Sequence, residues 1–304
     1  MKPLSIIIIT YNRPDDLLFL LQNIAGQDEA ARLLDSVLII DNASTADYGP
    51  VKDFIATQSL PFRYIYSEEN LGVARGRNLG LSMAQAPVLI MIDDDAYFRD
   101  QDGLVGIERL FTSDFARDNK VGLYSFKVFY SSTRELQVNA FPHKKFDQYV
   151  GKDRFLTYYF SGGAHAILKE VHDKAGQYPV DFFYGMEEYD LGYRLLDLGY
   201  RIAYDGSVSV MHNESPAGRA PHAQKMQMLW VNKSKVAYRY LPYRYFVSTA
   251  IMWSLQYLKK TNYHWPLFWQ GWKKIFSIPR KEQRKTISKD TLRYIRSVEG
   301  RMWY

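Results

Sequence analysis

The chain has 304 residues, 47% of them hydrophobic, with 39 Lys+Arg against 33 Asp+Glu and no cysteine. That apolar fraction supports a sizeable core and excludes an intrinsically disordered chain, while the missing cysteines exclude disulfides and thiolate metal sites. The net charge of +6 is uneven: residues 240–304 hold 13 basic and 3 acidic residues, leaving 26 and 30 before them, so the two parts are expected to meet different partners.

In chain order, Leu4–Thr10 is a β-branched run that reads as a central strand buried on both faces. At Leu4–Ile9 it is too short for a signal-peptide core. Pro14 opens an amphipathic helix carrying Leu17, Leu18, Leu20, Leu21 and Ile24. Val37–Ile40 is a second strand ending at Asp41, Val51–Gln58 a helix, and Phe62–Tyr66 a third strand. Gly72–Ala86 reads as a helix stopped by Pro87, and Val88–Ile92 as a fourth strand ending at Asp93. This alternation predicts an α/β fold with a doubly wound, mostly parallel sheet.

The second part is less regular. Val121–Tyr130 reads as a strand, Lys169–Ala175 and Glu187–Leu198 as helices, Arg201–Tyr204 and Val208–Met211 as short strands, and Gly218–Tyr240 as a helix. Residues 1–239 are expected to form the catalytic domain, with halves 1–100 and 101–239, followed by a helical tail over 240–304. No run of ~20 apolar residues is long enough to span a bilayer.

Ligands of doubly wound sheets bind beyond the carboxyl ends of the strands. Here those ends carry Thr10-Tyr11-Asn12, Asp41-Asn42 and Asp93-Asp94-Asp95. Three successive carboxylates suit a hard divalent cation bridging to a diphosphate, or else a solvated acidic turn. Asp41 can accept the imide N–H of a pyrimidine or close an Asx-turn. The Asn70–Asn78 segment opens a helix with glycines and arginines, but is neither a dinucleotide fingerprint nor a P-loop. Glu187, Glu188 and Asp190 either cap a helix or include a desolvated general base. His212 ends a short strand, as a structural residue or a further metal ligand.

Taken together, Ile9-Thr10-Tyr11-Asn12-Arg13, Asp41–Ser44, Asn70–Asn78, Asp93–Asp95, Gly162-Gly163-Ala164, Glu187–Leu191 and His212 resemble the family 2 (GT-A fold) glycosyltransferases, rhamnosyl- and galactofuranosyltransferase-like branch, over about residues 3–215. The resemblance implies that Thr10, Asn12, Arg13, Asp41, Asn70 and Arg77 surround a nucleotide. It places Asp93, Asp94 and Asp95 in a DxD motif, with Asp95 the direct metal ligand, Asp93 beside it and His212 a further contact. It implies Glu188 as catalytic base, with Glu187 and Asp190 orienting the acceptor or the helix; relatives commonly read Glu-Asp-x-Asp, which leaves Glu187 and Glu188 both in play. The implied reaction is an inverting transfer from a UDP- or dTDP-sugar, with Mn²⁺ or Mg²⁺, to a glycan or lipid-linked acceptor in cell-surface polysaccharide synthesis.

In the tail, Phe246–Leu258 is apolar, and Trp265, Trp269 and Trp272 lie between Lys259-Lys260 and Lys273-Lys274. That composition fits a helix at a membrane surface, or an oligomer interface or helical cap. No nucleic-acid module accompanies it. The expected location is cytoplasmic, peripheral at the inner face of the cell membrane. The competing functions are a nucleotidyltransferase and a catalytically degenerate partner protein.

Overall fold

The computed structural model describes residues 2–217 and 220–302. Among them nine strands form one sheet: β1 (Leu4–Thr10), β2 (Leu34–Asp41), β3 (Phe62–Tyr66), β4 (Val88–Ile92), β5 (Ala96–Phe98), β6 (Val121–Tyr130), β7 (Arg154–Thr157), β8 (Ala164–Leu168) and β9 (Arg201–His212). The order is β3-β2-β1-β4-β8-β6-β9-β5, with β7 also paired to β9. The first four strands are parallel, as the βα alternation predicts. β8 then runs antiparallel to both β4 and β6, while β6 and β9 are parallel.

The unbroken apolar runs follow from cover on both faces. Successive side chains of β1 alternate between two cores: Ile6 and Ile8 pack with Leu17, Leu20 and Ile24 of helix α1 (Pro14–Ala25), and Ile7 packs with Leu81 of α2 (Gly72–Met83). Gly80 lets α2 lie close to the sheet, because a Cβ there would press on Ile7 Cγ2.

Three boundaries differ from the sequence reading. α2 ends at Met83, since Ala84 is already extended ahead of Pro87. Arg201–Tyr204 and Val208–Met211 are the two ends of the single strand β9. The polar Asp205-Gly206-Ser207 at its centre interrupts the apolar pattern, and there Ser207 donates from its backbone N–H and its hydroxyl to Asp205 Oδ1 at 2.9 and 2.6 Å. The expected Gly218–Tyr240 helix begins at His222, after Pro221; Gly218 and Arg219 lie outside the described residues.

Of the other helices, those that bear on the site and the C-terminal packing are labelled α3 (Glu187–Asp197), α4 (His222–Tyr240), α5 (Tyr243–Lys260), α6 (Trp265–Lys281) and α7 (Lys289–Ser297). Trp230 of α4 is fully buried, with Tyr257 of α5 and Phe268 and Trp272 of α6 packed around it at ring-centre distances of 5.5–5.7 Å. Its indole N–H donates to Ala250 O at 2.9 Å. Gly271 makes room for the ring, where any Cβ would overlap it. α7 returns to the body: Ser288 N–H caps onto Asp197 Oδ1 at 2.7 Å and Tyr294 OH donates to Thr157 O at 3.2 Å. Residues from Ile7 to Met302 thus share one core cluster. No described helix is long and apolar enough to cross a membrane.

Candidate active site

The register sets Thr10 opposite Asp41 across β1 and β2, and the turn after β4 carries Asp93–Asp95 to the same edge. There a cleft of about 290 Å³ is lined by Thr10, Arg13, Asn70, the three aspartates and His212, with Asn42, Glu214 and Lys225. A second cavity of about 330 Å³ lies alongside, lined by Glu188, Gly162, Gly163, Tyr159, Tyr189 and Lys233 among others. Asp93 and His212 line both, so the two spaces meet at these side chains.

The acids differ sharply in environment. Asp93 is the open one, its side chain 44% exposed. Asp94 is buried against Arg13 at 2.8 Å; burial pushes its pKa up to about 7, against the opposing pull of Arg13. Asp95 accepts from Ser215 N–H at 2.9 Å and lies 3.1 Å from Arg13 and 3.2 Å from His212 Nε2. Burial disfavours its charge, but the His212 hydrogen bond and Arg13 outweigh that and lower its pKa.

One ligand atom each from Asp93, Asp95 and His212 falls within 4.8 Å of the others, so this group could hold a metal ion. The chemistry of the set fits: two carboxylate oxygens and an imidazole nitrogen suit Mn²⁺ or Mg²⁺. The imidazole is also oriented from behind. Gln137 donates through Nε2 to Glu214 at 3.0 Å, which turns its Oε1 toward His212 Nδ1 at 2.9 Å. Nδ1 therefore carries a proton whichever partner Nε2 takes: Asp95 at 3.2 Å, or a cation that would replace the Nε2 proton.

Arg77 joins this group to the acids of α3. It donates to Glu187 Oε1 at 3.2 Å and to Gly162 O at 2.9 Å, and lies 3.5 Å from Asp93 and 3.9 Å from Glu188. α3 starts abruptly, because Gly185 and Met186 both have positive φ (77° and 74°), and its first turn projects the acids toward β4. Glu187 is sealed underneath, with Oε2 unpartnered and its pKa raised by burial against the pull of Arg77. Glu188 faces the second cavity, its side chain 19% exposed. Burial, then the charge of Glu187, pushes its pKa up to about 8. Asp190 lines neither cavity; it accepts from Arg194 at 2.8 Å, Arg239 at 2.9 Å and Tyr240 at 3.0 Å, and so holds α3 to α4.

The residues read as nucleotide contacts divide in the same way. Thr10, Arg13 and Asn70 reach the first cleft. Asn12 closes the β1 and β2 loops, its Oδ1 accepting from Thr45 and Ala46 N–H at 2.8 and 3.0 Å. Asp41 is only 2% exposed and accepts from Ser44 N–H at 2.9 Å and from Tyr64 OH. Arg77 lies beneath the acids and off the wall of this cleft. Sequence reasoning set Asn42 at a strand end without a role, and missed Gln137, Tyr159, Lys144, Lys225, Lys233 and Trp253. The missed residues come from irregular or distant segments without a local pattern.

Gly162 and Gly163 explain the close fit. A Cβ on Gly162 would overlap Glu188 Oε1, and one on Gly163 would overlap Asp93 Oδ2. Because both clashes are with side-chain ends, Gly163→Ala is expected to keep its melting temperature while displacing Asp93. A displacement of that size costs on the order of 10²-fold in turnover. Parallel melting and activity measurements on the variant check this.

Residues 5–176 match the family profile described as Glycosyl transferase family 2. The chain belongs to this family. It is 38% identical over 120 residues to an uncharacterized protein of Haemophilus influenzae, a match covering 39% of this chain and 62% of that one. The match thus falls short of two thirds of that relative. It is 34% identical over 97 residues to a galactofuranosyltransferase of Mycobacterium tuberculosis, covering 31% of each. Among solved structures, a mannosyltransferase from Pyrobaculum calidifontis in complex with GDP-Man and Mn²⁺ superposes with a TM-score of 0.60 at 17% identity, covering 98% of this chain and 79% of that one. At that identity the likeness establishes a shared GT-A fold.

Proposed function

We propose that the chain is a glycosyltransferase, moving a sugar, with inversion, from a nucleoside diphosphate donor in the first cleft to an acceptor hydroxyl in the second cavity. One observation carries the reading: the two spaces meet at Asp93 and His212, and of the acids in the first turn of α3 it is Glu188 that lines the second.

Glu188 takes the proton of the acceptor hydroxyl as its oxygen bonds to the anomeric carbon. The bond from that carbon to the diphosphate breaks on the opposite face, and its electron pair leaves with the nucleotide. No enzyme nucleophile is needed, since a single displacement inverts the centre. Asp93, Asp95 and His212 would hold the cation, which when bound stabilises negative charge on the departing diphosphate. Arg77 fixes the spacing between the Asp93 and Glu188 carboxylates. Arg13 and Lys225 add positive charge along the donor cleft, and Asn70 tethers the entry of α2 by accepting from Gly72 N–H at 2.9 Å. Asp41 retains acceptor capacity beyond its two bonds, which suits the imide N–H of uracil or thymine; UDP- and dTDP-sugars are the favoured donors.

Thermal melting with UDP, dTDP, GDP and ATP, each with Mn²⁺ or EDTA, tests the donor site. A pyrimidine nucleoside diphosphate at 100 times its Kd should stabilise by about 2.7 kcal/mol, only with metal present and not in Asp95→Ala. A preference for ATP, or no shift with any nucleotide, would sink the proposal.

The acceptor side extends to a lipid surface. Val247, Ile251, Met252 and Leu255 form an exposed row on α5, and Trp265, Trp269 and Phe276 are exposed on α6. Lys259, Lys260, Lys273, Arg280 and Lys281 flank them, which is the composition of an interfacial helix pair on anionic lipid. Ile251→Asp combined with Trp269→Glu should abolish sedimentation with phosphatidylglycerol vesicles without lowering the melting temperature. Equal sedimentation of variant and wild type would remove the membrane contact.

A further inference from the structure

The second cavity contains a charge that the transfer reaction does not require. Lys233 of α4 and Lys144 line it together with Glu188. Among the described residues, neither ammonium donates a hydrogen bond or has a carboxylate within 4.0 Å. Other α4 lysines behave differently: Lys235, two residues on, pairs with Asp181 at 2.5 Å and lies 3.5 Å from Glu282.

Lys233 is half-buried, with its Nζ 4.6 Å from the ring centre of Trp253 and 5.4 Å from that of Tyr189. Lys144, exposed at the mouth, has its Nζ 4.9 Å from the ring centre of Tyr159. Tyr159 and Tyr189 stack on each other at 5.1 Å and 9°. The two lysines thus flank one aromatic platform beside the base. Burial, then the charges of Lys144 and Arg301, lowers the Lys233 pKa to about 7. Aromatic faces offset part of the desolvation of an ammonium, but a buried charge is stable chiefly when paired. An anion within the cavity would pair with both.

Building on the proposed transfer reaction, we infer that the acceptor carries an acidic group, a phosphate ester or a carboxylate, which docks between Lys144 and Lys233 on the Tyr159–Tyr189 platform. Because the cavity also holds Glu188, the acidic group lies on the sugar being extended or on the linkage next to it. Neutral glycans would leave Lys233 unpaired and are discriminated against for that reason.

Calorimetric titration of the full chain with glycerol 3-phosphate, methyl glucuronide, glycerol and methyl glucoside tests this. The charged probes should bind and the neutral ones should not; whichever charged probe binds identifies phosphate or carboxylate as the group. In Lys144→Met with Lys233→Met, affinity for that probe should fall about tenfold or more, and Lys233→Arg should largely restore it. The double variant should keep the nucleotide-induced melting shift. Equal binding by wild type and double variant, or equal binding of charged and neutral probes, overturns the inference. Loss in Lys225→Ala instead assigns the anion to the donor cleft and also overturns it. The nucleotide shift is a separate readout, so failure of the donor site and failure of this acceptor contact are distinguishable.

Discussion

Glu188→Gln should fold and bind nucleotide normally, yet transfer sugar about 10²–10⁴-fold more slowly, the range spanned by general-base contributions. The amide keeps the shape of the side chain and its place beside Gly162, but it cannot take up a proton. Raised to about 8 by burial and Glu187, the carboxyl of the free protein is ionised only toward alkaline pH. The rate of the wild type should therefore climb as pH rises through that range, and the residual rate of the variant should lack that limb.

A stability signature of opposite sense accompanies it. A carboxyl whose folded pKa lies above its unfolded value disfavours the folded state once pH exceeds the unfolded value, and increasingly so up to the folded one. Wild type and Glu188→Gln should therefore melt alike near pH 4, with the variant gaining relative stability toward pH 8. Glu187→Gln is a different experiment, because it also removes the nearest counter-charge of buried Arg77, 3.2 Å away. Full activity in Glu188→Gln at pH 8 would exclude Glu188 as the base.

Trp230→Ala should cost about 3–5 kcal/mol, the range for truncating a buried aromatic. The change empties the centre of the α4–α5–α6 packing and leaves Ala250 O without its indole donor. Because the same core cluster reaches the sheet, the loss should appear as one lowered transition for the whole chain, measurable by calorimetry. A separate low-temperature transition, with the catalytic body melting as before, would show instead that residues 240–302 fold as an independent unit. Deleting the residues after Tyr240 would remove the same packing, which makes surface substitutions the better probe of lipid contact.

The parallel half of the fold is legible because its physics is local. β1 and β4 are covered on both faces, so their runs are uninterrupted, and Pro14 and Pro87 punctuate the helices. The antiparallel half is not legible in the same way. β8 inserts between β4 and β6, and nothing near Ala164–Leu168 encodes that partner choice. β9 looks like two strands because Asp205-Gly206-Ser207 turns polar inside it.

The site divides on similar lines. Asp93–Asp95, Asp41 and Thr10 could be placed because strand ends of one parallel sheet must share an edge. That His212 joins Asp93 and Asp95 follows only from the antiparallel pairing of β5 with β9, which sets Ala96 opposite His212. Which of Glu187 and Glu188 faces the second cavity is not encoded locally, since it depends on which way the first turn of α3 faces. Lys144, Lys233 and Trp253 come from three distant segments, and no spacing rule connects them.

That last separation has a temporal meaning. The proposed donor cleft draws most of its wall from the first hundred residues, which leave the ribosome early. The acceptor cavity waits for Trp253, and its surroundings close only when Val298 O meets His143 and Glu299 meets Lys145. At about 5–20 residues per second the interval is on the order of ten seconds. Most of the first cleft's wall is therefore synthesised well before the second cavity is complete.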